Sequence, residues 1–311
     1  MTTPLTTAVR PTLGFIGAGR VARALACAAG HAGYEVTVVA SRRLDAAQRI
    51  ASALPGCEAL PIHGPQDMNT VFSRANLVFL TVPDDAIATC AAHLAPLAGQ
   101  ALVHCSGASE IELLAPATQQ GAQMGGFHPL FLFAGLDDDA TRMRGSAITI
   151  EADTPLRDTL NDLASAIGCR ALSIPARERM RYHAGANYAA SFLLCLLDEA
   201  TSLWQAIGMP EDDAREAMWP LVMGTLNAAR ERGLPGALAG PVSRGDTGIV
   251  ARHTEALASM GGNHATLYSL LTLRAIHLAR QRPNADNTAL DAIAHTIAPY
   301  LPPFPPEGGD V

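Results

Sequence analysis

Over roughly the first 170 residues, short apolar runs alternate with amphipathic, Ala-rich stretches. The runs at 12–16, 77–81 and 101–105 are apolar enough for strands buried on both faces of a parallel sheet. A β-branched stretch at 35–40 predicts a strand after the first helix. Residues 123–127, 146–151 and 170–174 predict three more, around a helix at 154–167. Beyond Pro175 the period changes. Residues 177–207 predict one long helix, apolar on too many faces for a surface position, which Gly208-Met209-Pro210 ends. Further helices are predicted at 211–232, 247–260 and 264–280. The pattern predicts an α/β protein: a doubly wound, parallel-sheet domain over 11–174 and an all-helical domain over 175–301. A polar tail (1–10) and a Pro-rich tail (302–311) flank them. Helices apolar on several faces suggest that the helical half dimerises.

Composition narrows the function classes. Of 311 residues, 49% are hydrophobic and 16% charged, a globular balance with material for two cores. No apolar run reaches the ~18–20 residues of a membrane span. Residues 1–10 lack an apolar signal core, so a cytoplasmic protein without a membrane partner is expected. The six cysteines are scattered, with no Cys-x-x-Cys, and read as reduced core thiols. A net charge of −7 argues against nucleic acid as a partner. All 22 Lys+Arg residues are arginine. That removes Schiff-base chemistry, a Walker-type phosphate lysine and a lysine general acid. The histidines never fall at ligand spacing with Cys or acidic partners, so no metal site is expected. Nor is there a Gly-x-Ser-x-Gly elbow for a hydrolase.

The most informative stretch is the strand at 12–16 running into Gly17-Ala18-Gly19-Arg20-Val21-Ala22 and an Ala-rich helix. Gly17 suits a tight turn, and Gly19 lets a pyrophosphate approach the backbone. Ala22 lets the helix pack close to the strand, and the free N–H groups and positive dipole of the helix N-terminus favour phosphate. This is the setting of a Rossmann dinucleotide site, with Gly17 to Val21 as its cofactor-binding turn. An NAD site usually places Asp or Glu about 20 residues further on. Here the second strand ends at Ser41-Arg42-Arg43, a hydroxyl and two guanidiniums suited to a 2′-phosphate, so NADP is expected; the alternative is solvated surface charge. Asp45 is expected to begin the next helix. Val82 and Pro83, ending the strand at 77–81, fall where the cofactor should lie.

Ser106 and His128 each end a predicted strand on the ligand side of the sheet. His128 reads as a proton-handling residue or a structural histidine beside Pro129. Ser106 reads equally as a substrate contact or a turn residue. On the long helix, His183, Asn187 and Ser191 are spaced i, i+4, i+8 and share one face. A substrate pocket or a buried helix–helix network would satisfy that line. Arg244, in Gly240-Pro241-Val242-Ser243-Arg244-Gly245-Asp246, suits a fork on a substrate carboxylate. Asp246 reads as a substrate contact or a helix N-cap.

Gly17-Ala18-Gly19-Arg20-Val21, Val82-Pro83-Asp84, His104-Cys105-Ser106-Gly107, His128-Pro129-Leu130, Tyr182-His183-Ala184 and Gly240-Pro241…Arg244-Gly245-Asp246 span nearly the whole chain. As a set they resemble the Rossmann-like proteins with a helical C-terminal domain of unknown function, in the 6-phosphogluconate dehydrogenase-like superfamily. Their order is similar to pyrroline-5-carboxylate reductase, ketopantoate reductase, prephenate dehydrogenase and deazaflavin-dependent NADP oxidoreductase. The resemblance implies a homodimer built on the helical domain and an active site between domains. It also supports Ser106 and His128, since prephenate dehydrogenases carry a serine and a His-Pro after consecutive strands. The chain departs from superfamily members that use a helix lysine with an asparagine four residues on: His183 with Asn187 only echoes that pair, and Ser191 stands where Asn is usual. The expected activity is NADP(H)-dependent hydride transfer to or from a small oxo- or imino-carboxylate. Arg244 would hold the carboxylate, and His128 or His183 would move the proton. The alternatives are an NADP-binding sensor or scaffold without turnover and an NADP/deazaflavin oxidoreductase.

Overall fold

The apolar runs of the first half become strands because each can bury both faces. In the computed structural model, which describes residues 10–303, the chain divides into two compact units, Met1–Leu194 and Cys195–Val311. The first begins with β1 (Leu13–Ile16), α1 (Arg20–His31), β2 (Val36–Ser41), α2 (Leu44–Ala51) and β3 (Glu58–Pro61). A 3-10 segment, Pro65–Ser73, leads to β4 (Leu77–Leu80), α3 (Asp84–Ala91), β5 (Ala101–His104) and a second 3-10 segment, Ile111–Thr118. Then come β6 (Gln123–Leu130), the one-turn α4 (Asp139–Arg142), β7 (Ala147–Ala152), α5 (Leu156–Ala166), β8 (Arg170–Ser173) and α6 (Arg179–Ala189).

These strands form one sheet in the order β3-β2-β1-β4-β5-β6-β7-β8. It is the expected doubly wound sheet with one departure: β6 and β7 are antiparallel. A parallel return needs a crossover of a dozen or more residues, usually a helix. Residues 131–146, which join β6 to β7, are long enough but hold only the single turn of α4 and no helix to carry the chain back along the sheet, so β7 returns antiparallel. The edge strand β3 escapes the apolar pattern because it is short, partly exposed and ends in Pro61. On one face Phe15 stacks on Phe79 with centroids 5.2 Å apart, and Phe127 meets Phe79 edge-on at 5.5 Å. Leu80, Leu102 and Ile87 fill the other. Of the expected tails, only Arg10, Pro302 and Pro303 fall within the described residues. Arg10 is held, donating to the Ala32 carbonyl at 2.9 Å and lying over the Tyr34 ring.

The expected helix over 177–207 is two helices. Ala190 (φ −114°, ψ −81°) leaves the helical region, separating α6 from α7 (Ser191–Ala206). The compact sheet unit also extends past Pro175 to Leu194, because α6 packs on the sheet. α8 (Glu211–Ala237) is regular to Arg232 and breaks at Gly233, whose φ of 73° suits glycine. α9 (Thr247–Ser259), α10 (His264–Arg280) and α11 (Asn287–Ile297) enclose a core of Val242, Val250, Ile276, Leu290, Ile293 and Ile297. Sequence periodicity did not announce α11. All six cysteines are free, and Cys195 is exposed rather than in a core. Among the described residues no helix is long and apolar enough to cross a membrane.

Candidate functional site

β1 ends in a turn that glycine alone allows. Gly17 has φ 105°, and a Cβ there would lie 2.4 Å from the Thr81 carbonyl oxygen. Thr81 locks the turn: its hydroxyl donates to the Ile16 and Gly17 carbonyls at 3.1 Å, and the Gly17 amide donates to Ala40 at 2.8 Å. Gly19 caps α1 with no side-chain hydrogen bond, and a Cβ on it would meet nothing within 4 Å. The first turn of α1 thus presents free N–H groups and the positive helix end to open space, which fits a pyrophosphate. Ala18 and Val21 are half-buried beside this opening. The Arg20 side chain turns from it toward the Phe133 carbonyl, 3.4 Å away.

At the end of β2, Ser41 accepts from the Arg43 amide at 3.1 Å, and the Arg43 guanidinium pairs with Asp45 at 3.2 Å. Asp45 lies in the first turn of α2, as its sequence position suggests, and also accepts from Arg49 at 2.8 Å. Arg42 is exposed and forms no ion pair among the described residues, so of the two guanidiniums it is the one available to a ligand. Val82 and Pro83 follow β4 beside the Gly17 turn, with Pro83 capping α3.

A second centre lies at the carboxyl ends of β5 and β6. Side chains two apart in a strand share a face, so sheet register defines two tiers. In the lower tier His104, Gly126 and Glu151 are cross-strand neighbours. In the upper, His128 pairs with Thr149, with Ser106-Gly107 continuing from β5. Arg179, fully buried at the start of α6, lies over the lower tier: Nε donates to Glu151 at 2.6 Å and Nη1 to the Ser106 carbonyl at 2.9 Å. Tyr182 and His183, one turn on, lie over the upper tier. The Tyr182 hydroxyl is 2.9 Å from His128 Nδ1, and the His128 and His183 ring centroids are 6.4 Å apart. Both imidazoles close over Gly107, where a Cβ would stand 2.8 Å from His128 and 2.9 Å from His183.

Burial disfavours the charged forms of His128 and His104. Burial pulls His128 down to about 4, with nearby His183 and Arg179 adding to the effect. Burial, then Arg179, takes His104 to about 3, and its Nδ1 accepts from the Ser106 amide at 3.2 Å. Burial raises the Tyr182 hydroxyl, so it stays protonated.

Two sequence segments match known domain families: residues 2–129 match the Rossmann-like domain, and residues 146–275 match the domain of unknown function DUF2520. The chain pairs a Rossmann-like domain with a DUF2520 domain. Among solved structures it is similar to a Thermotoga maritima protein at 24% identity, covering 86% of this chain and 98% of that one, with a TM-score of 0.69. A putative NADP oxidoreductase of Bacteroides fragilis is 22% identical, with coverage of 87% and 98% and a TM-score of 0.64. A pyrroline carboxylate reductase of Plasmodium falciparum, solved with NADP bound, is 12% identical, with coverage of 92% and 98% and a TM-score of 0.55. At these identities the shared property is the fold. No curated protein matches the chain in sequence.

The Rossmann-like segment supplies His104, Ser106 and His128 to the two-tier centre, and the DUF2520 segment supplies Glu151, Arg179, Tyr182 and His183. The Ser106 hydroxyl is committed to its own turn, accepting from the Ala108 and Ser109 amides at 3.2 and 2.9 Å. Asn187 follows His183 by one turn of α6 and is half-buried. Ser191 lies beyond the Ala190 break, so the expected three-residue line holds only for His183 and Asn187. In the helical unit Arg244 is exposed at the end of a 3-10 turn. Asp246 is the N-cap of α9, accepting from the Ile249 amide at 3.0 Å. Sequence reasoning missed Arg179, Glu151 and His104. The adjacent Gly125 and Gly126 inside a strand were the available signal of a close approach. Among the described residues no three His, Cys, Asp or Glu side chains are grouped to hold a metal ion.

Proposed function

We propose that the protein is an NADP(H)-dependent oxidoreductase acting on a small oxo- or imino-carboxylate. The observation that carries this reading is the Gly17–Gly19 turn, whose second glycine leaves open space at an uncapped helix end. Gly17 to Val21 would hold the pyrophosphate, Ser41 and Arg42 the 2′-phosphate, and Val82-Pro83 the adjoining ribose. Arg43, already paired with Asp45, contributes charge but not a free fork. When bound, the nicotinamide supplies or takes a hydride.

The chain's own part is proton handling and orientation. A neutral His128 whose Nδ1–H donates to Tyr182 carries its lone pair on Nε2, on the side of Gly107. From there it accepts a proton from a substrate hydroxyl or amine in oxidation and returns it in reduction, a contribution of ~10²–10⁴-fold. His183 is the second group within reach of that proton, and Asn187 extends its polar face. Arg244 is proposed as the carboxylate fork. The bare faces of α7 and α8 support a homodimer. Of 27 residues α8 buries only Ala214 and Met218, while Trp219, Leu221, Met223 and Leu226 stay exposed. Helices owe most of their stability to packing, so we assign that cover to a second copy.

The test is a thermal-shift titration of purified protein with NADPH and NADH. Ligand at ~100 times its Kd stabilises by ~2.7 kcal/mol. Selective stabilisation by NADPH, lost in Arg42→Ala, supports the cofactor assignment. No shift with either nucleotide defeats it. Binding without turnover across a panel of keto acids and imines favours the sensor reading, and turnover only with added deazaflavin favours the third.

A further inference from the structure

Arg179 makes more connections than a structural ion pair needs. It is the first residue of α6 and has no exposed surface, and Arg177, just before it, takes a left-handed φ of 65° as the chain enters the helix. Its guanidinium spans the sheet from β7, through Glu151, to the turn after β5, through the Ser106 carbonyl. On the way it crosses β6 at Gly126, where a Cβ would stand 1.9 Å from Nη2. Gly126 is two residues before His128, so the guanidinium lies on the His128 face of the strand. One side chain thus ties together the three elements that bear the upper tier: the Gly107 turn, β6 with its neighbour β7, and the helix carrying Tyr182 and His183. Stability alone does not explain such an arrangement, since well-packed apolar residues often replace a buried pair without loss.

We propose that Arg179 is a positioning residue: braced on Glu151, it holds the Ser106 carbonyl and so sets the Gly107 turn and the start of α6 against His128. The proposal rests on the proton-handling role of His128. The ionisable groups packed about that histidine are His104 from β5, Glu151 from β7, and Arg179, Tyr182 and His183 from α6, with the half-buried Glu110 just beyond the β5 turn. Without the guanidinium, the turn and the helix start lose their common anchor. Water then reaches His128, and a positive neighbour that opposes its protonation is gone.

The full-length protein and the double variant Arg179→Gln/Glu151→Gln, which removes both charges and keeps polar side chains, test this. Ring ¹⁵N signals of labelled histidines are followed with pH, His128 being assigned through His128→Asn. The proposal expects the His128 midpoint to rise by about one pH unit or more in a variant that still melts cooperatively. A folded variant whose His128 titrates as in the wild type overturns it. If the double variant does not fold, Arg179→Lys keeps the charge but cannot fork between Glu151 and Ser106. There only the loss of burial acts, so a smaller rise than in the double variant is expected, and an unchanged midpoint again overturns the proposal. NADPH binding, measured on the same samples, is expected to stay within about twofold. Its absence in the wild type defeats the oxidoreductase reading and leaves the histidine comparison intact.

Discussion

Two glycine turns stand at the carboxyl edge of one sheet, and they are bare for opposite reasons. The missing Cβ of Gly19 faces open space at a helix end, while that of Gly107 faces two imidazoles from the chain itself. The first turn leaves room that no side chain of the protein fills, while the second encloses side chains it already holds. The supporting residues differ in kind. Thr81 and the Ala40 carbonyl, from the strands on either side of β1, hold the first through its backbone. The second depends on Arg179, more than 70 positions along the chain from Ser106. A glycine in sequence announces a close approach, and only the fold says whether ligand or side chain makes it.

The largest expected effect is at Gly17. An alanine there combines a disfavoured positive φ with a clash against the Thr81 backbone, so Gly17→Ala should lose about 3–5 kcal/mol or fail to fold. Urea unfolding measures it, and near-wild-type stability would show that the β4 end yields. Gly107→Ala comes next. Its Cβ meets movable rings, so about 1–3 kcal/mol is expected, with NADPH affinity retained and the His128 ring signals displaced. If NADPH affinity collapsed instead, the two turns would not be separate devices.

The glycine turn of α1 was legible in the sequence because its whole logic lies within ten residues: strand, glycines, small residue, helix. His128 was legible for a similar reason, as a polar side chain at the end of an apolar run. Its partners were not. Tyr182, in a helical stretch, gives no sign in sequence that its hydroxyl will stand 2.9 Å from His128 Nδ1. Glu151 reads as a strand-end charge until the antiparallel return of β7 sets it opposite Gly126. Arg179 looks like one more arginine at a helix start, in a chain whose basic residues are all arginine. The line of His183, Asn187 and Ser191 failed at a single residue: Ala190, a strong helix former, gives no sequence warning of the break it makes.

A smaller effect separates the two centres by pH. His128 is held well below its ordinary value, near 4, so the unfolded chain binds more protons than the folded one between about pH 4 and 6.5. Stability should therefore rise as pH increases through that window. His104, held near 3, acts in the same direction. His128→Gln should flatten the curve by roughly 1–2 kcal/mol across the window, measured by urea unfolding at each pH. A variant whose pH dependence matches the wild type would show that His128 is exposed enough to titrate normally.

The smallest effect on folding is the sharpest test of the contrast. Gly19→Ala adds a methyl group where nothing lies within 4 Å, at a cap position where glycine is preferred over alanine by about 1 kcal/mol. The stability change should be about 1 kcal/mol or less. The same methyl group should obstruct a pyrophosphate at the start of α1, lowering NADPH affinity at least tenfold, ~1.4 kcal/mol or more. Stability and affinity are thus predicted to part at Gly19 and to fall together at Gly17. At Gly107, stability should fall while affinity holds. Isothermal titration with NADPH beside urea unfolding of the three variants reads both quantities. If Gly19→Ala bound NADPH as tightly as the wild type, the open space above that glycine would not be the phosphate seat, and the contrast between an acquired and an internal occupant would fail at its first member.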